Sequence, residues 1–229
     1  IVAVGASAGG ISAIQSLLQA MGEGVHAAIV IVQHLPPGKP SGLSGLIRKW
    51  TRLEVHDAVE GLRPEPGHLY LPAPNEVLTL ESGVFRTRPA EGGGRRPGID
   101  SIDAFLESLA RDCGPRAVAV VLSGSGMDGT AGAIQVRQAG GLVLVQEPIT
   151  ALHDGMPASV IHHGGADQVL SIAGIADELA AMGSPSYVRP ASSASQGNEV
   201  TRTLDEILVL VRKQAGFDLG SYKPSPVLW

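Results

Sequence analysis

The sequence predicts an α/β fold: a three-layer sandwich whose mostly parallel sheet carries helices on both faces, with an edge hairpin and a C-terminal helical extension. Three observations point there. Short, mostly apolar runs recur at residues 1–4, 25–32, 117–122 and 142–146, the mark of strands buried on both faces. Between them lie stretches whose apolar residues fall at helical spacing. At 229 residues, with 44% hydrophobic and 17% charged, the chain suits one good-sized α/β domain plus a small extra piece. Strand, loop and helix alternating at this spacing imply right-handed βαβ units.

In chain order, residues 1–4 form the first strand and run into Gly5-Ala6-Ser7-Ala8-Gly9. That turn fits G-x-S-x-G, which lifts a serine above the sheet on the way into a helix. It is not a dinucleotide loop, because the G-x-G-x-x-G pattern needs a glycine where Ser7 stands, and it lacks the lysine of a P-loop. Ile11, Ile14, Leu17, Leu18 and Met21 mark the apolar face of the helix that follows. The second strand, 25–32, ends at Gln33-His34-Leu35-Pro36-Pro37, where the prolines stop it. No acidic residue stands there to hold a ribose.

A helix over 43–50 leads into a β-rich middle at 53–58, 68–71, 77–80 and 84–87, read as hairpins on the edge of a sheet. The basic-tipped loop 91–98 is either a solvated connection or the border of a substrate groove. A helix over 99–113 buries Ile102, Phe105, Leu106 and Leu109. The third strand breaks at Ser123-Gly124-Ser125-Gly126-Met127-Asp128-Gly129 into a helix through Ile134 and Val136. The fourth strand stops at Glu147-Pro148. A polar linker over 184–200 then precedes a second unit, 201–229, in which Leu204, Ile207, Leu208, Leu210 and Val211 mark an amphipathic helix.

Chemistry in parallel sheets sits outside the carboxyl ends of the strands. Ser7, His34 and Asp128 all belong to that rim, and a serine, a histidine and an aspartate there are the parts of a nucleophile, a base and an orienting acid. The expected geometry puts Ser7 Oγ within hydrogen-bond reach of His34 Nε2, with His34 facing Asp128. Plainer readings stand beside this one. Seven histidines are present, and Asp128 can equally be an N-cap for the helix after it. No metal is expected: His26 and His56 lie on strands, and His162-His163 lack a second ligand pair at metal spacing. The formal net charge of −5 argues against nucleic acid as a partner. No apolar run approaches a membrane span, so no membrane insertion is expected. The lone Cys113 excludes an internal disulfide and fits a reducing, cytoplasmic compartment. Opening without Met on a core strand suggests a piece trimmed from something longer.

Gly5-Ala6-Ser7-Ala8-Gly9-Gly10, Gln33-His34-Leu35-Pro36-Pro37-Gly38, Arg96-Pro97, the block Leu122–Gly129 and Asp154-Gly155-Met156-Pro157 together resemble the catalytic domain of chemotaxis protein-glutamate methylesterases, the CheB type. The resemblance implies Ser7 as nucleophile, His34 as base and Asp128 as orienter, with no metal or cofactor. It also implies hydrolysis of glutamate γ-methyl esters, and possible deamidation of glutamines, on methylated chemoreceptor helices. Two positions depart from the family: Ala8 stands where Thr is usual, and Ser125 where Met is usual. Backbone N–H groups near Ala8 and Ser125 are the oxyanion candidates, with Gly126 and Met156 at the substrate groove. Residues 207–218 with Tyr222-Lys223-Pro224-Ser225 resemble the opening of a CheR-type chemoreceptor methyltransferase, which implies a fused protein. The expected division is therefore an esterase domain over 1–183, the linker, and a truncated methyltransferase start over 201–229. A reading of another class, a catalytically silent anion-binding or scaffold module of a sensory protein, is opposed by the intact Ser7, His34 and Asp128.

Overall fold

The computed structural model describes residues 1–22, 25–34, 42–90, 100–183 and 187. The Pro-Pro segment after His34, the loop 91–98, the linker apart from Tyr187, and the unit 201–229 with its expected helix lie outside the described residues. The first compact unit runs Ile1–Ala191.

Seven parallel strands form the sheet in the order β3-β4-β2-β1-β7-β8-β9. At its centre lies β1 (Val2–Ala6), buried throughout, with β2 (Ile29–Gln33) on one side and β7 (Val118–Val121) on the other. Because strand side chains alternate, β1 feeds both layers. Val2, Val4 and Ala6 join Ile31 and Val120 under α1 (Gly10–Ala20), α2 (Leu43–Trp50) and α6 (Ile172–Ala181), which supply Ile14, Leu17, Ile47, Ile175 and Leu179. Ala3 joins Val30, Ala119 and Val121 on the other side, under α3 (Ser101–Cys113), α4 (Thr130–Gln138) and α5 (Gly155–His162). Fully burying Phe105, Leu106 or Leu109 of α3 contributes about 1.5–3 kcal/mol each. Small residues on β1 let α3 come close: a Cβ on Gly5 would lie 2.5 Å from Ile102 Cγ2.

Toward the other edge run β8 (Leu142–Gln146) and β9 (Gln168–Leu170), the latter a three-residue strand too short to carry a sequence signal. The β-rich middle differs from the expected run of edge hairpins. β3 (Glu54–Ala58) and β4 (His68–Pro72) pair in parallel and extend the main sheet. Their inward residues Val55 and Leu69 complete the core under α1 and α2. Among the described residues only β5 (Glu76–Glu81) and β6 (Val84–Pro89) form an antiparallel hairpin, which is a separate two-stranded sheet. It sits on α3, where Leu78, Leu80 and Phe85 join Phe105 and the Ser108 hydroxyl accepts from Leu80 N–H at 2.9 Å. Among the described residues no helix is long and apolar enough to cross a membrane.

Candidate active site

The turn after β1 is held on both sides. Ser7 N–H donates to Ser123 O at 3.0 Å, and Gly10 N–H donates to Ser7 O at 2.8 Å, starting α1. Gly9 takes φ +71° with Leu152 and His153 against it, a left-handed conformation that glycine adopts without strain. The positive end of the α1 dipole thus begins three residues after Ser7.

His34 directly follows β2, one strand away, and is anchored by its own N–H to Ala6 O at 3.1 Å. Gln33 locks it further, with Nε2 donating to Ser7 O (2.9 Å) and to His34 O (3.0 Å). Ser7 Oγ lies 3.2 Å from His34 Nδ1. His34 Nε2 lies 2.6 Å from Asp128 Oδ2, a close contact without an aligned hydrogen bond. The serine and histidine meet as expected, but through Nδ1 and not Nε2. The strand order explains this. In β2-β1-β7 the serine stands between its two partners, so the imidazole reaches across β1 with its near nitrogen over Ser7 and its far nitrogen at Asp128. A proton on Nε2 beside the carboxylate leaves the Nδ1 lone pair facing the Ser7 hydroxyl.

Asp128 is 8% exposed and is fixed by three backbone donors: Ile102 N–H to Oδ2 (3.0 Å), Asp103 N–H to Oδ1 (2.8 Å) and Gly129 N–H to Oδ1 (2.9 Å). It is thus a cap as well as a partner of His34, but the first turn it caps belongs to α3, not to the helix that follows it. The service is returned. Asp103 Oδ1 accepts from Gly132 N–H at 2.7 Å, in the first turn of α4. Burial, together with the nearby Asp128 charge and against the Gly132 hydrogen bond, pushes the Asp103 carboxyl up to about 6.

The remaining expected site residues divide. Ala8 is half-buried, and no acceptor for its N–H, or for that of Ser125, lies among the described residues. Ser125 and Gly126 are exposed on the loop after β7. Gly124 N–H, in contrast, is committed to His153 O at 2.9 Å. Met156 does not line a groove. It is 0% exposed, with its sulfur packed where a Gly124 side chain would stand, because Met156 N–H ties the start of α5 to Gly124 O (2.8 Å). It supports the loop from beneath.

Ser123 and Gln146 were not expected. The buried Ser123 hydroxyl donates to Ala8 O (2.9 Å) and accepts from His153 N–H (3.0 Å), while its N–H donates to Gln146 Oε1 (2.9 Å). The matching strand endings Ile-Val-Ile-Val-Gln and Leu-Val-Leu-Val-Gln, each closing an apolar run with a glutamine, were the available signal. Burial pushes the Cys113 thiol up, the opposite of an activated nucleophile.

Comparisons with known proteins point to one family. A profile of the CheB methylesterase family matches residues 2–179. The chain is 38% identical over 185 residues to protein-glutamate methylesterase/protein-glutamine glutaminase 2 of Pseudomonas aeruginosa, covering 78% of this chain and 52% of that protein. It is 33% identical over 183 residues to the protein-glutamate methylesterase/protein-glutamine glutaminase of Pectobacterium atrosepticum, covering 79% and 52%. The chain spans about half the length of these relatives. The crystal structure of the Thermotoga maritima CheB methylesterase catalytic domain superposes with a TM-score of 0.72 at 31% identity, over 79% of this chain and 97% of that one.

Proposed function

The chain belongs to the CheB methylesterase family, and from that premise we propose that it hydrolyses glutamate γ-methyl esters on the cytoplasmic helices of chemoreceptors, with deamidation of glutamine side chains at the same site. The observation that carries this reading is the Ser7 Oγ, His34 and Asp128 chain of contacts at the carboxyl rim, in a chain whose relatives are named for both reactions.

In this mechanism Ser7 Oγ attacks the ester carbonyl carbon as its proton passes to His34 Nδ1. The oxyanion is met by the Ala8 and Ser125 N–H groups, each such donor typically worth about 3–4 kcal/mol. Collapse breaks the C–O bond to the methoxy group, which leaves as methanol with the proton from Nδ1. Water then loses a proton to Nδ1, attacks the acyl-enzyme and returns glutamate and free Ser7. Asp128 holds the ring and offsets the imidazolium charge without taking the proton. With a glutamine the leaving group is ammonia. The lone cysteine supports a cytoplasmic setting. The CheR-like sequence at 207–225 supports a fused methyltransferase. The test is to incubate the chain with receptor methylated by labelled methyl groups and count the volatile label: methanol release above the no-enzyme rate, lost in Ser7→Ala, is expected. A parent chain that releases nothing while remaining folded overturns the proposal and favours the silent scaffold.

A further inference from the structure

The rim opposite Ser7 carries a cluster that the esterase chemistry does not use. β3 and β4 begin side by side, with Glu54 in register with His68 and His56 with Tyr70. Residues two apart share a face of a strand, so Glu54, His56, His68 and Tyr70 all stand on one face at the sheet's outer edge. Glu54, His56 and His68 each bring a ligand atom to within 4.8 Å of the other two. His56 Nε2 to Glu54 Oε2 is 3.5 Å, long for a hydrogen bond. It is close to the ligand–ligand edge of a tetrahedron with bonds of about 2.0–2.2 Å.

Two further observations point to a ligand. Although 40% of the His56 side chain is exposed, its Nε2 is shut off from solvent and has no hydrogen-bond partner among the described residues. An orphaned nitrogen of this kind in a native fold calls for an unplaced water or ion. His68 is braced from behind: its Nδ1 lies 3.3 Å from the Tyr70 hydroxyl, which itself accepts from Glu65 N–H at 3.0 Å. A ligating imidazole is commonly held by its second nitrogen in this way, which leaves Nε2 for the metal.

We infer that Glu54, His56 and His68 form a site for a divalent transition-metal ion, with water closing the coordination shell. Two imidazoles and one carboxylate suit Zn²⁺, Co²⁺ or Ni²⁺ and not the oxygen-seeking Mg²⁺ or Ca²⁺. Linear spacing does not reveal it, because the parallel register, and not proximity along the chain, brings His56 and His68 together. The site lies at the amino ends of the strands while Ser7 lies at the carboxyl ends, so the ion takes no part in ester hydrolysis. It ties the two outermost strands at their starts. The inference stands apart from the esterase reading.

The test is calorimetric titration of the metal-free chain with Zn²⁺, and with Co²⁺ followed by visible absorption. One Zn²⁺ per chain, a raised melting temperature, and a tetrahedral Co²⁺ band are expected. His56→Ala and His68→Ala should each weaken binding about tenfold or more. The double variant at His162 and His163 should bind as the parent does. Imidazole ¹⁵N spectra of the unaltered chain supply a readout that needs no variant, with His56 and His68 moving on Zn²⁺ addition. Absence of stoichiometric binding at micromolar Zn²⁺, unchanged affinity in both single variants, or spectral change confined to other histidines would each overturn the site.

Discussion

At the scale of single residues, Ser7, His34 and Asp128 differ in how much each also does for the fold. Among the described residues the Ser7 hydroxyl bonds only to the His34 ring. Ser7→Ala and His34→Gln should therefore each lower esterase turnover by about three orders of magnitude or more, with a melting temperature within a degree or two of the parent. Near-parental turnover in Ser7→Ala would move the nucleophile elsewhere. Asp103 gives a pH signature. Its folded pKa is raised from 3.8 to about 6, so the folded chain holds a proton that the unfolded chain releases. Its contribution to stability is complete below about pH 4 and is lost as the pH rises through 6. Asp103→Asn keeps an acceptor for Gly132 N–H and has nothing to titrate. The urea midpoint of the parent should fall relative to this variant between pH 4 and pH 7, and parallel curves would remove the assignment.

At the scale of elements, Asp128, on the loop between β7 and α4, ties that loop to α3 and to His34 through one carboxylate. Asp128→Ala strands the N–H groups of Ile102 and Asp103, at about 1–3 kcal/mol for each buried donor left without a partner. Asp128→Asn offers one oxygen where two accept, so an amide NH₂ faces a backbone N–H. Both variants should melt several degrees below the parent, unlike Ser7→Ala, and differential scanning calorimetry separates the two classes. The sequence had suggested Asp128 either as an orienting acid or as a cap. The structure brings this carboxylate both to His34 and to a helix start, and the capped helix is α3, whose Ile102 and Asp103 amides lie 26 and 25 residues earlier in the chain and meet it only through tertiary packing. Which imidazole nitrogen faces Ser7 was hidden for a related reason: it depends on β1 lying between β2 and β7. The rim itself was legible, since apolar runs closed by small or polar residues mark strand ends without any tertiary knowledge. The pairing of β3 with β4 was not, because short half-buried strands carry the same pattern in parallel and antiparallel ladders.

At the scale of the whole molecule, the question is where the esterase unit stops. The sequence places its end at Gly183, where polar residues begin. Yet the Tyr187 hydroxyl donates to Glu178 Oε1 on α6 at 2.5 Å, four residues further on. Truncation after Ala191, the end of the first compact unit, should leave turnover and melting temperature unchanged. Truncation after Gly183 should retain turnover but lose the Tyr187 contact, with a small drop in melting temperature. If the longer truncation product already unfolds, residues 192–229 belong to the esterase fold.

The capping of α3 by Asp128 has a consequence for exchange with solvent. First-turn amides of a helix have no acceptor within their own helix and ordinarily trade their hydrogens with water quickly. Those of Ile102 and Asp103 are held by a buried carboxylate from a loop that also touches His34. Their deuterium uptake should be as slow as that of a helix interior. It should quicken whenever that carboxylate leaves the helix start. Two amides far from Ser7 in sequence would then report, without any substrate, how firmly the loop that meets His34 is seated.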